Sequence, residues 1–389
     1  MSPEAGRLLG GDHDEGPRRH LALVPDRPLR VVDVALWYGE RSGGIRTYLD
    51  AKVAQLADHP DVEHHLITPG PAERHAGGRH ELRAVRLATS NGYRIPLGGG
   101  GLRRTLRDLR PDVVLLHDPF WTPRGVSAVA HEVGALAVAV HHGSSELDAA
   151  GIPGPQSAYV PLFRAWLRRA SREVDAIMSV VDTTADCGRP ADVPLRLGLH
   201  DAFRPRPEVP RGDETVYVGR LAREKGVFAL LEAAARSAEP WPLRFVGSGP
   251  ARERLAARAA RLRIAERVHF APFVGDRDEL ARLYAGARCV VMPGEHETFG
   301  LVGIEAAASG ARAVCCTTAP SGRLCGTLVH RYAPGDVDGL AAAIAAARAA
   351  TPDHDASAAL ARRHAWPQVF AAELDTLRHL VRRPRVRAV

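Results

Sequence analysis

Two glutamates, Glu297 and Glu305, stand eight residues apart in the segment GEHETFGLVGIEAAASG, residues 294–310. The small-residue stretch around Glu305 has the pattern of a helix, and the first turn of a helix exposes N–H groups that bind anions. Gly300 lets the main chain approach a ligand closely. Because carboxylates accept hydrogen bonds from vicinal hydroxyl groups, Glu305 suits a ribose and Glu297 another polyol. The segment is typical of a nucleotide-sugar site, and also of an exposed helix start whose acidic residues complement the dipole.

Two cations follow another predicted strand, in the segment VYVGRLAREKG. Arg220 and Lys225 lie near Gly219, and a forked guanidinium, a point charge and an accessible backbone suit a diphosphate. The pair alone is also typical of surface charges in a loop. In the segment GGIRTY, Gly43 and Gly44 open a predicted helix and permit a close approach to phosphate. Together the three segments favour a site for a nucleotide sugar.

The elements that must position these segments alternate regularly along the chain. Apolar runs predict buried strands, and each run is followed by glycine or polar residues and then by a helical pattern. The runs before the midpoint are LRVVDVALW, HHLIT, DVVLLH and ALAVAV, and the alternation restarts after the segment AFRPRPEVPRGDE. This order predicts an α/β protein with two doubly wound parallel sheets joined near residues 200–212. Ligands of such folds lie at the carboxyl ends of the strands, so the cleft between the two units is the expected site.

Composition narrows the function classes. The chain has 389 residues, a net charge of +7 and 5% aromatic residues. Nucleic-acid binding is disfavoured because few aromatic side chains are available for base stacking. No apolar run is long enough for a transmembrane helix, and the N-terminus lacks the apolar core of a secretory signal. The five cysteines have no CxxC spacing, so they are predicted to be small buried residues in the cytoplasm.

The motifs, in this order, resemble those of the retaining GT-B glycosyltransferases of glycosyltransferase family 4. The resemblance covers roughly residues 30–372 and includes VGSGP at 246–250 and the E-x7-E element, which Glu297 and Glu305 provide. It implies a GT-B fold, in which two Rossmann-like domains face each other across a cleft. It also implies that Arg220 and Lys225 bind the donor diphosphate and that Glu305 binds the ribose.

The resemblance assigns further residues to the transferred sugar. Glu297 and the backbone of Phe299, Gly300 and Leu301 are implied to hold it. His142, at a strand end in VHHGSS, is implied to lie beside the reacting carbon, with His141 as its competitor. The implied catalytic residues are His142, Glu297, Arg220 and Lys225. The implied donor-binding residues are Gly43, Gly44, Gly219, Arg220, Lys225, Gly247, Glu297, Phe299, Gly300, Leu301 and Glu305.

The resemblance also suggests domain bounds. We expect a disordered tail over residues 1–28, an acceptor-binding domain over 29–205 and a nucleotide-sugar-binding domain over 206–365. A helix or tail follows over 366–389, and the basic segment LRHLVRRPRVRAV at its end is expected to fray.

The function implied is retaining transfer of a hexose, of mannose or glucose type, from a GDP- or UDP-linked sugar to a glycan, lipid-linked or small-molecule acceptor. No Asp-x-Asp motif stands near the phosphate segments, so neither a metal nor another cofactor is expected. The alternatives are a GT-B epimerase and a non-catalytic nucleotide-sugar-binding protein. A pyridoxal-phosphate phosphorylase is disfavoured because both lysines of the chain, Lys52 and Lys225, are interpreted as donor-loop residues.

An amphipathic basic segment offers two interpretations of the acceptor side. Residues 160–175, VPLFRAWLRRASREVD, place apolar side chains and arginines on opposite faces of a predicted helix. Such a helix is typical of proteins that lie on an anionic membrane. It is also typical of a helix packed on the domain's sheet with a solvated arginine face. The protein is therefore expected in the cytoplasm, either free or at the inner face of the cell membrane.

Overall fold

The structure is a computed structural model that describes residues 27–36, 38, 44–86, 94–96, 98–117, 123–150, 154–196, 198–297 and 299–382. Gly43 and most of the predicted N-terminal tail lie outside these ranges. The first half of the chain contains helices α1 (Gly44–Leu56), α2 (Gly100–Leu109), α3 (Pro123–Glu132), α4 (Ser145–Ala150), α5 (Gln156–Ala170) and α6 (Thr184–Cys187). The second half contains α7 (Val227–Arg236), α8 (Arg252–Arg261), α9 (Arg277–Gly286), α10 (Leu301–Ala308), α11 (Ser321–Leu324), α12 (Val337–Ala349), α13 (His354–Arg363) and α14 (Trp366–Arg382).

The first half of the chain forms one twisted sheet. Its strands are β1 (Leu29–Val34), β2 (Val62–Gly70), β3 (Arg74–Ala76), β4 (Arg79–Arg86), β5 (Arg94–Pro96), β6 (Val113–Leu116), β7 (Leu136–His141), β8 (Ala176–Ser179) and β9 (Val193–Pro194). They lie in the order β3-β4-β2-β1-β6-β7-β8-β9, with β5 also paired to β4. The predicted parallel pairing is confirmed for each pair of neighbours in the order β4-β2-β1-β6-β7-β8-β9.

The edge of this sheet departs from the prediction of a purely parallel arrangement. Strands β3 and β5 both run antiparallel to β4. Every residue of β3 is exposed, and β5 is only partly buried, so neither carries the continuous apolar run that marks a buried strand. Strands β3 and β5 therefore could not be predicted from apolar runs in the sequence.

The second half of the chain forms a fully parallel sheet. Its strands are β10 (Thr215–Val218), β11 (Leu243–Val246), β12 (Val268–Ala271), β13 (Cys289–Met292), β14 (Ala313–Cys316) and β15 (Val329–Tyr332). Their order is β12-β11-β10-β13-β14-β15, which reverses direction between β10 and β13. The carboxyl ends of strands at such a reversal form a crevice that binds ligands in doubly wound folds. Both predicted donor segments begin there, because they follow β10 and β13.

The C-terminal helix α14 crosses back to the first half of the chain. Its apolar side chains join the core of the first sheet, and Leu377 and Leu380 are 0% and 7% exposed. The prediction that the chain frays from Leu377 onward is therefore wrong as far as Arg382. The reason is that apolar residues three and four apart give α14 a stripe that is buried against α1.

Two further predictions concern cysteines and membranes. The five cysteines are free and buried, as predicted. Among the described residues, no helix combines the length and the apolarity that a membrane crossing requires.

Candidate functional site

The loop after β10 carries Lys225 to the loop after β13. A short 3₁₀ helix, Arg223–Lys225, ends at Gly226, whose φ of +68° favours glycine. A Cβ atom at Gly226 would lie 2.2 Å from the carbonyl oxygen of Pro293, so the two loops are in direct backbone contact. Lys225 Nζ then lies 2.9 Å from Glu297 Oε2, and the two side chains are 29% and 13% exposed. The structure thus joins two of the predicted catalytic residues in one accessible ion pair.

Arg220 occupies the same loop but has a different partner. Its guanidinium pairs with Glu224, and the Arg220 side chain is 49% exposed. Its backbone carbonyl accepts a hydrogen bond of 2.8 Å from the hydroxyl of Tyr217. The loop backbone is therefore anchored while the guanidinium remains in contact with solvent. No ion pair of the described residues links Arg220 to Glu297 or Glu305.

The ends of β10 and β11 approach each other at two predicted glycines. A Cβ atom at Gly247 would lie 2.1 Å from the carbonyl oxygen of Gly219. Both residues have a φ that side chains rarely adopt, +147° at Gly219 and +138° at Gly247. The backbones of the two strand ends therefore touch each other, and this contact leaves no room for a side chain at Gly247.

Glu305 lies in the second turn of α10, whose N-terminus is capped by Gly300 at a φ of +66°. The Glu305 carboxylate accepts a hydrogen bond of 3.2 Å from the Tyr284 hydroxyl, and Arg277 Nη1 lies 3.6 Å from its other oxygen. Burial raises the pKa of Glu305, although Arg277 and the Tyr284 hydrogen bond oppose that effect. In the described contacts Glu305 belongs to a separate group from Lys225 and Glu297, and lies toward the start of α9.

Phe299 connects the donor side to the first half of the chain. It is 2% exposed and belongs to the core of the first sheet, although it lies between β13 and α10. A Cβ atom at Gly44 would lie 2.5 Å from Phe299 Cδ2 and 3.4 Å from Leu301 Cδ1. The start of α1 and the start of α10 are thus packed against each other. Gly43, predicted alongside Gly44, lies outside the described residues.

The two histidines at the end of β7, His141 and His142, have different surroundings. His142 packs edge-to-face on Phe299, with ring centroids 5.2 Å apart, whereas His141 Nε2 lies 3.4 Å from Asp186 Oδ2. Successive side chains of a strand point to opposite faces of the sheet, so the rings of His141 and His142 lie on different faces. His142 is therefore the histidine that reaches the donor loops, and burial, together with the neighbouring His117 and His141, holds its pKa well below the usual range.

A chain of buried polar side chains lies behind His142, and apart from His142 none of them was among the predicted site residues. It contains His142, His117, Asp33, His64, Lys52 and Glu373, which together we call the buried relay. Lys52 is 0% exposed on α1 and lies 2.9 Å from Asp33 and 2.6 Å from Glu373, so placing it in a donor loop was wrong. A signal was available: Asp33 interrupts an apolar run, and a charge inside a buried strand requires a partner.

Two further features concern the binding of metal ions and ligands near the donor loops. Within the described ranges, no three histidine, cysteine, aspartate or glutamate side chains are grouped as metal ligands would be. A cavity of about 820 Å³ lies beside the donor loops, and its wall includes Glu295, His296 and four arginines (Arg223, Arg254, Arg258 and Arg261). Lys225, Glu297 and Glu305 do not line this cavity.

Comparisons with known proteins agree with this architecture. The family model described as Glycosyltransferase Family 4 matches residues 42–195, and the model described as Glycosyl transferases group 1 matches residues 201–351. The chain is 32% identical to a GDP-mannose-dependent alpha-(1-6)-phosphatidylinositol dimannoside mannosyltransferase of Mycobacterium tuberculosis, over 75% of this chain and 80% of the relative. It is 31% identical to a glycogen synthase of the same organism, over 70% of this chain and 67% of the relative.

The fold itself is also that of a solved structure. The sucrose-phosphate synthase of Thermosynechococcus elongatus superposes with a TM-score of 0.69 at 16% identity, covering 90% of this chain and 99% of that one. The predicted fold is confirmed, with two Rossmann-like units in the GT-B arrangement. The chain belongs to the group 1 glycosyltransferases of family 4 and is a hexosyltransferase that uses a nucleotide-sugar donor.

Proposed function

We propose that this enzyme transfers a hexose from a nucleoside diphosphate sugar with retention of the anomeric configuration. One observation carries the proposal: Lys225 and Glu297 meet at the strand-order reversal, next to the N-terminus of α10. Negative charge develops on the leaving diphosphate in the transition state of such a transfer. Lys225, Arg220 and the N–H groups at the start of α10 would stabilise that charge without rearrangement of solvent.

The carboxylates now paired with the two cations would be displaced when the donor binds. A diphosphate carries more charge than a carboxylate, so it competes for Lys225 and for Arg220, which is 49% exposed. Glu297, released from Lys225, is then free to accept hydrogen bonds from the hydroxyl groups of the transferred sugar. In this proposal Glu297 and Glu224 hold the cations in place until the diphosphate arrives.

Glu305 is proposed to bind the two hydroxyl groups of the ribose. The support is that Glu305 contacts Arg277 at the start of α9. Helix α9 directly follows the loop 272–276, which comes after β12 at the carboxyl edge of the sheet. One oxygen of Glu305 accepts from Tyr284, which fixes the direction of the carboxylate. Orientation by a buried tyrosine limits the entropy lost when the ribose binds.

The donor is proposed to be GDP-mannose and the acceptor a lipid-linked or polymeric glycan. The support is the activity of the mannosyltransferase relative, whose similarity covers more of this chain than that of the glycogen synthase does. The donor is proposed to bind without a metal ion, because Lys225, Arg220 and the N-terminus of α10 would supply the positive charge that the diphosphate requires. Chelator treatment is then expected to leave the rate unchanged, and restoration of a lost rate by Mg²⁺ or Mn²⁺ would contradict this part.

A peripheral contact with an anionic membrane is proposed at α5. Leu162 and Trp166 lie one turn apart and are 62% and 43% exposed, and Arg169, also exposed, follows on the same face. Arg164 faces the body of the domain, where it pairs with Glu146 and Asp186. The test is cosedimentation with liposomes containing an anionic phospholipid. The double variant Leu162→Ser, Trp166→Ser should lose binding, whereas equal binding by the variant and the wild type would refute the contact.

The reaction is tested by incubating the protein with GDP-mannose, UDP-glucose and ADP-glucose in the presence of a membrane lipid extract or an oligosaccharide acceptor. Release of GDP from GDP-mannose, dependent on acceptor, is the expected result. The one-bond carbon–proton coupling at the new anomeric centre should report the same configuration as the donor. An inverted product, or isomerisation of the nucleotide sugar without acceptor, would overturn the proposal.

A further inference from the structure

The buried relay connects the C-terminal helix to the ring that faces the donor loops. Glu373 on α14 contacts Lys52 on α1 at 2.6 Å, and Lys52 contacts Asp33 on β1 at 2.9 Å. Asp33 Oδ1 lies 2.6 Å from His117 Nε2, and His117 Nδ1 lies 2.7 Å from His142 Nε2. His64 Nε2 occupies the other oxygen of Asp33 at 2.6 Å. The donor and acceptor roles in these contacts depend on the tautomers of the histidine rings.

Asp33 sets the direction of the hydrogen bonds. Burial of Asp33 opposes ionisation, but the charge of Lys52 and the hydrogen bonds from His117 and His64 outweigh it and hold its pKa well below the usual range. An ionised carboxylate has no proton to give, so it only accepts hydrogen bonds. His117 must therefore carry a proton on Nε2, the nitrogen that faces Asp33. When Nε2 carries the only proton of the His117 ring, Nδ1 of His117 has a free lone pair.

The lone pair of His117 fixes the proton of His142 in turn. The two ring planes differ by 19° and the centroids are 4.9 Å apart, so the bond between Nδ1 and Nε2 runs nearly within both planes. Ring lone pairs lie in the plane of the imidazole, which makes this geometry suitable for a strong hydrogen bond. Nε2 of His142 donates along this bond, and its Nδ1 is left without a proton.

His142 Nδ1 is also the atom that lacks a partner. It is completely buried and makes no hydrogen bond to the described residues. Buried polar atoms in native proteins are almost always paired, so an unpaired one beside a binding loop indicates a group supplied by a ligand. The neighbouring ring is Phe299, at the loop where the transferred sugar is proposed to bind.

We propose that Asp33 and His117 are positioning residues that hold His142 with its lone pair on Nδ1, where it accepts a hydrogen bond from a hydroxyl group of the donor's sugar. The inference rests on the proposed function for the identity of the ligand. The proton arrangement itself is independent of whether any sugar is transferred. Lys52 completes the relay by keeping Asp33 ionised, and Glu373 in turn keeps Lys52 charged.

The proton arrangement is tested by nuclear magnetic resonance of protein labelled with ¹⁵N at histidine. The His142 signals are identified by their loss in the His142→Gln variant. In the wild type, His142 is expected to show a protonated Nε2 and an unprotonated Nδ1, and the His141→Gln control should leave both unchanged. A proton on His142 Nδ1 in the wild-type protein would overturn the inference.

The role of His117 is tested by a matched pair of substitutions. His117→Gln keeps one donor for Asp33 and one acceptor for His142, whereas His117→Leu fills similar space and keeps neither. We expect the Leu variant to lose roughly ten- to a hundredfold in kcat/KM, as for one misdirected hydrogen bond to substrate, and the Gln variant to recover most of that loss. The His142 proton should leave Nε2 in the Leu variant alone. Equal losses in both folded variants, with unchanged His142 signals, would show that His117 merely fills space.

Failure of the inference is distinguishable from failure of the proposed function. A wild-type protein that turns over GDP-mannose while His142 carries a proton on Nδ1 refutes the relay and leaves the transfer intact. A wild-type protein with the expected His142 signals but no activity on any nucleotide sugar refutes the assigned ligand, and the proposal that a sugar hydroxyl is the partner falls with it.

Discussion

The candidate site contains two sets of charged residues that differ in solvent exposure. In the buried relay, Lys52 and Asp33 are both 0% exposed and Glu373 is 5% exposed. On the donor side, Lys225 is 29% exposed and Arg220 is 49% exposed, and each is paired with one carboxylate. The first set is enclosed between β1, α1 and α14, and the second set lies on loops at the strand ends.

The difference in solvent exposure distinguishes charges that are held in one place from charges that a ligand can displace. Buried charges are held by partners on several elements, and breaking one contact leaves the others uncompensated. Exposed pairs contribute little to stability, so a ligand can displace them at low cost. In the proposed mechanism the relay is the fixed surface on which the sugar binds, and the cations of the donor loops change partners when the diphosphate arrives.

Lys52→Met should cause the largest loss of stability. The variant leaves Asp33 and Glu373 buried without their shared cation, which typically costs about 3–5 kcal/mol of unfolding free energy. Chemical denaturation followed by circular dichroism measures the change. The control is Arg244→Ala, which breaks a half-exposed pair with Glu214 and should cost at most about 1 kcal/mol. Equal losses in the two variants would remove the distinction between the buried and exposed sets.

Lys225→Ala should have the opposite profile, with a large effect on turnover and little on stability. Loss of one preorganised group that stabilises developing charge typically costs about 2.7–4 kcal/mol of the activation barrier, or roughly a hundred- to thousandfold in kcat. Steady-state kinetics with the best donor gives the change. Arg223→Ala, on the same short helix but in the wall of the neighbouring cavity, is the matched control and should retain turnover. A Lys225 variant with unaltered kcat/KM contradicts the assignment of the diphosphate site.

Gly44→Ala tests the contact between the two halves of the chain. The new methyl group would overlap Phe299, so the ring must leave the position in which it contacts His142, at a cost of about 1–3 kcal/mol. We expect about a tenfold or greater loss in kcat/KM. Gly101→Ala serves as the control, because its added Cβ meets only an ordinary contact at 3.6 Å and should leave activity intact. Unchanged kinetics in Gly44→Ala would show that the position of Phe299 is unimportant.

Glu305→Gln should raise stability while lowering donor affinity. Because burial raises the pKa of folded Glu305 above its ordinary value of 4.5, the wild type loses stability as pH rises from about that value through the raised pKa. The Gln variant avoids this loss, so its advantage is absent below pH 4.5 and grows as the pH rises through the raised pKa. Urea unfolding across this pH range measures it, and Glu208→Gln at an exposed position should match the wild type throughout. A Gln variant less stable than the wild type at neutral pH would contradict the prediction.

Much of the fold was predictable because parallel strands covered on both faces are continuous apolar runs. The runs at Val113–Leu116, Leu136–His141 and Cys289–Met292 are strands as predicted. The antiparallel strands at Arg74–Ala76 and Arg94–Pro96 were missed because they lie at an edge and have no apolar side to bury. The fraying predicted after Leu377 failed because the partner surface of α14 lies more than 300 residues earlier in the chain, on α1.

The candidate site was predictable in its loops but not in its pairings. Glycines and cations at strand ends are local signals, and they located Lys225 and Glu297 before any contact was known. The partners of Arg220 and Glu305 come from tertiary packing, which no spacing rule describes. The buried relay was the main omission, although Asp33 inside an apolar run was a local indication that a buried cation lies nearby.

The most direct test of the central claim is a crystal structure of the protein with a bound nucleoside diphosphate. The account predicts that the diphosphate contacts Lys225 and Arg220 at the start of α10, that Lys225 has left Glu297, and that Glu305 contacts the ribose. A diphosphate bound instead in the arginine-lined cavity beside α8, with the Lys225–Glu297 pair intact, would contradict it.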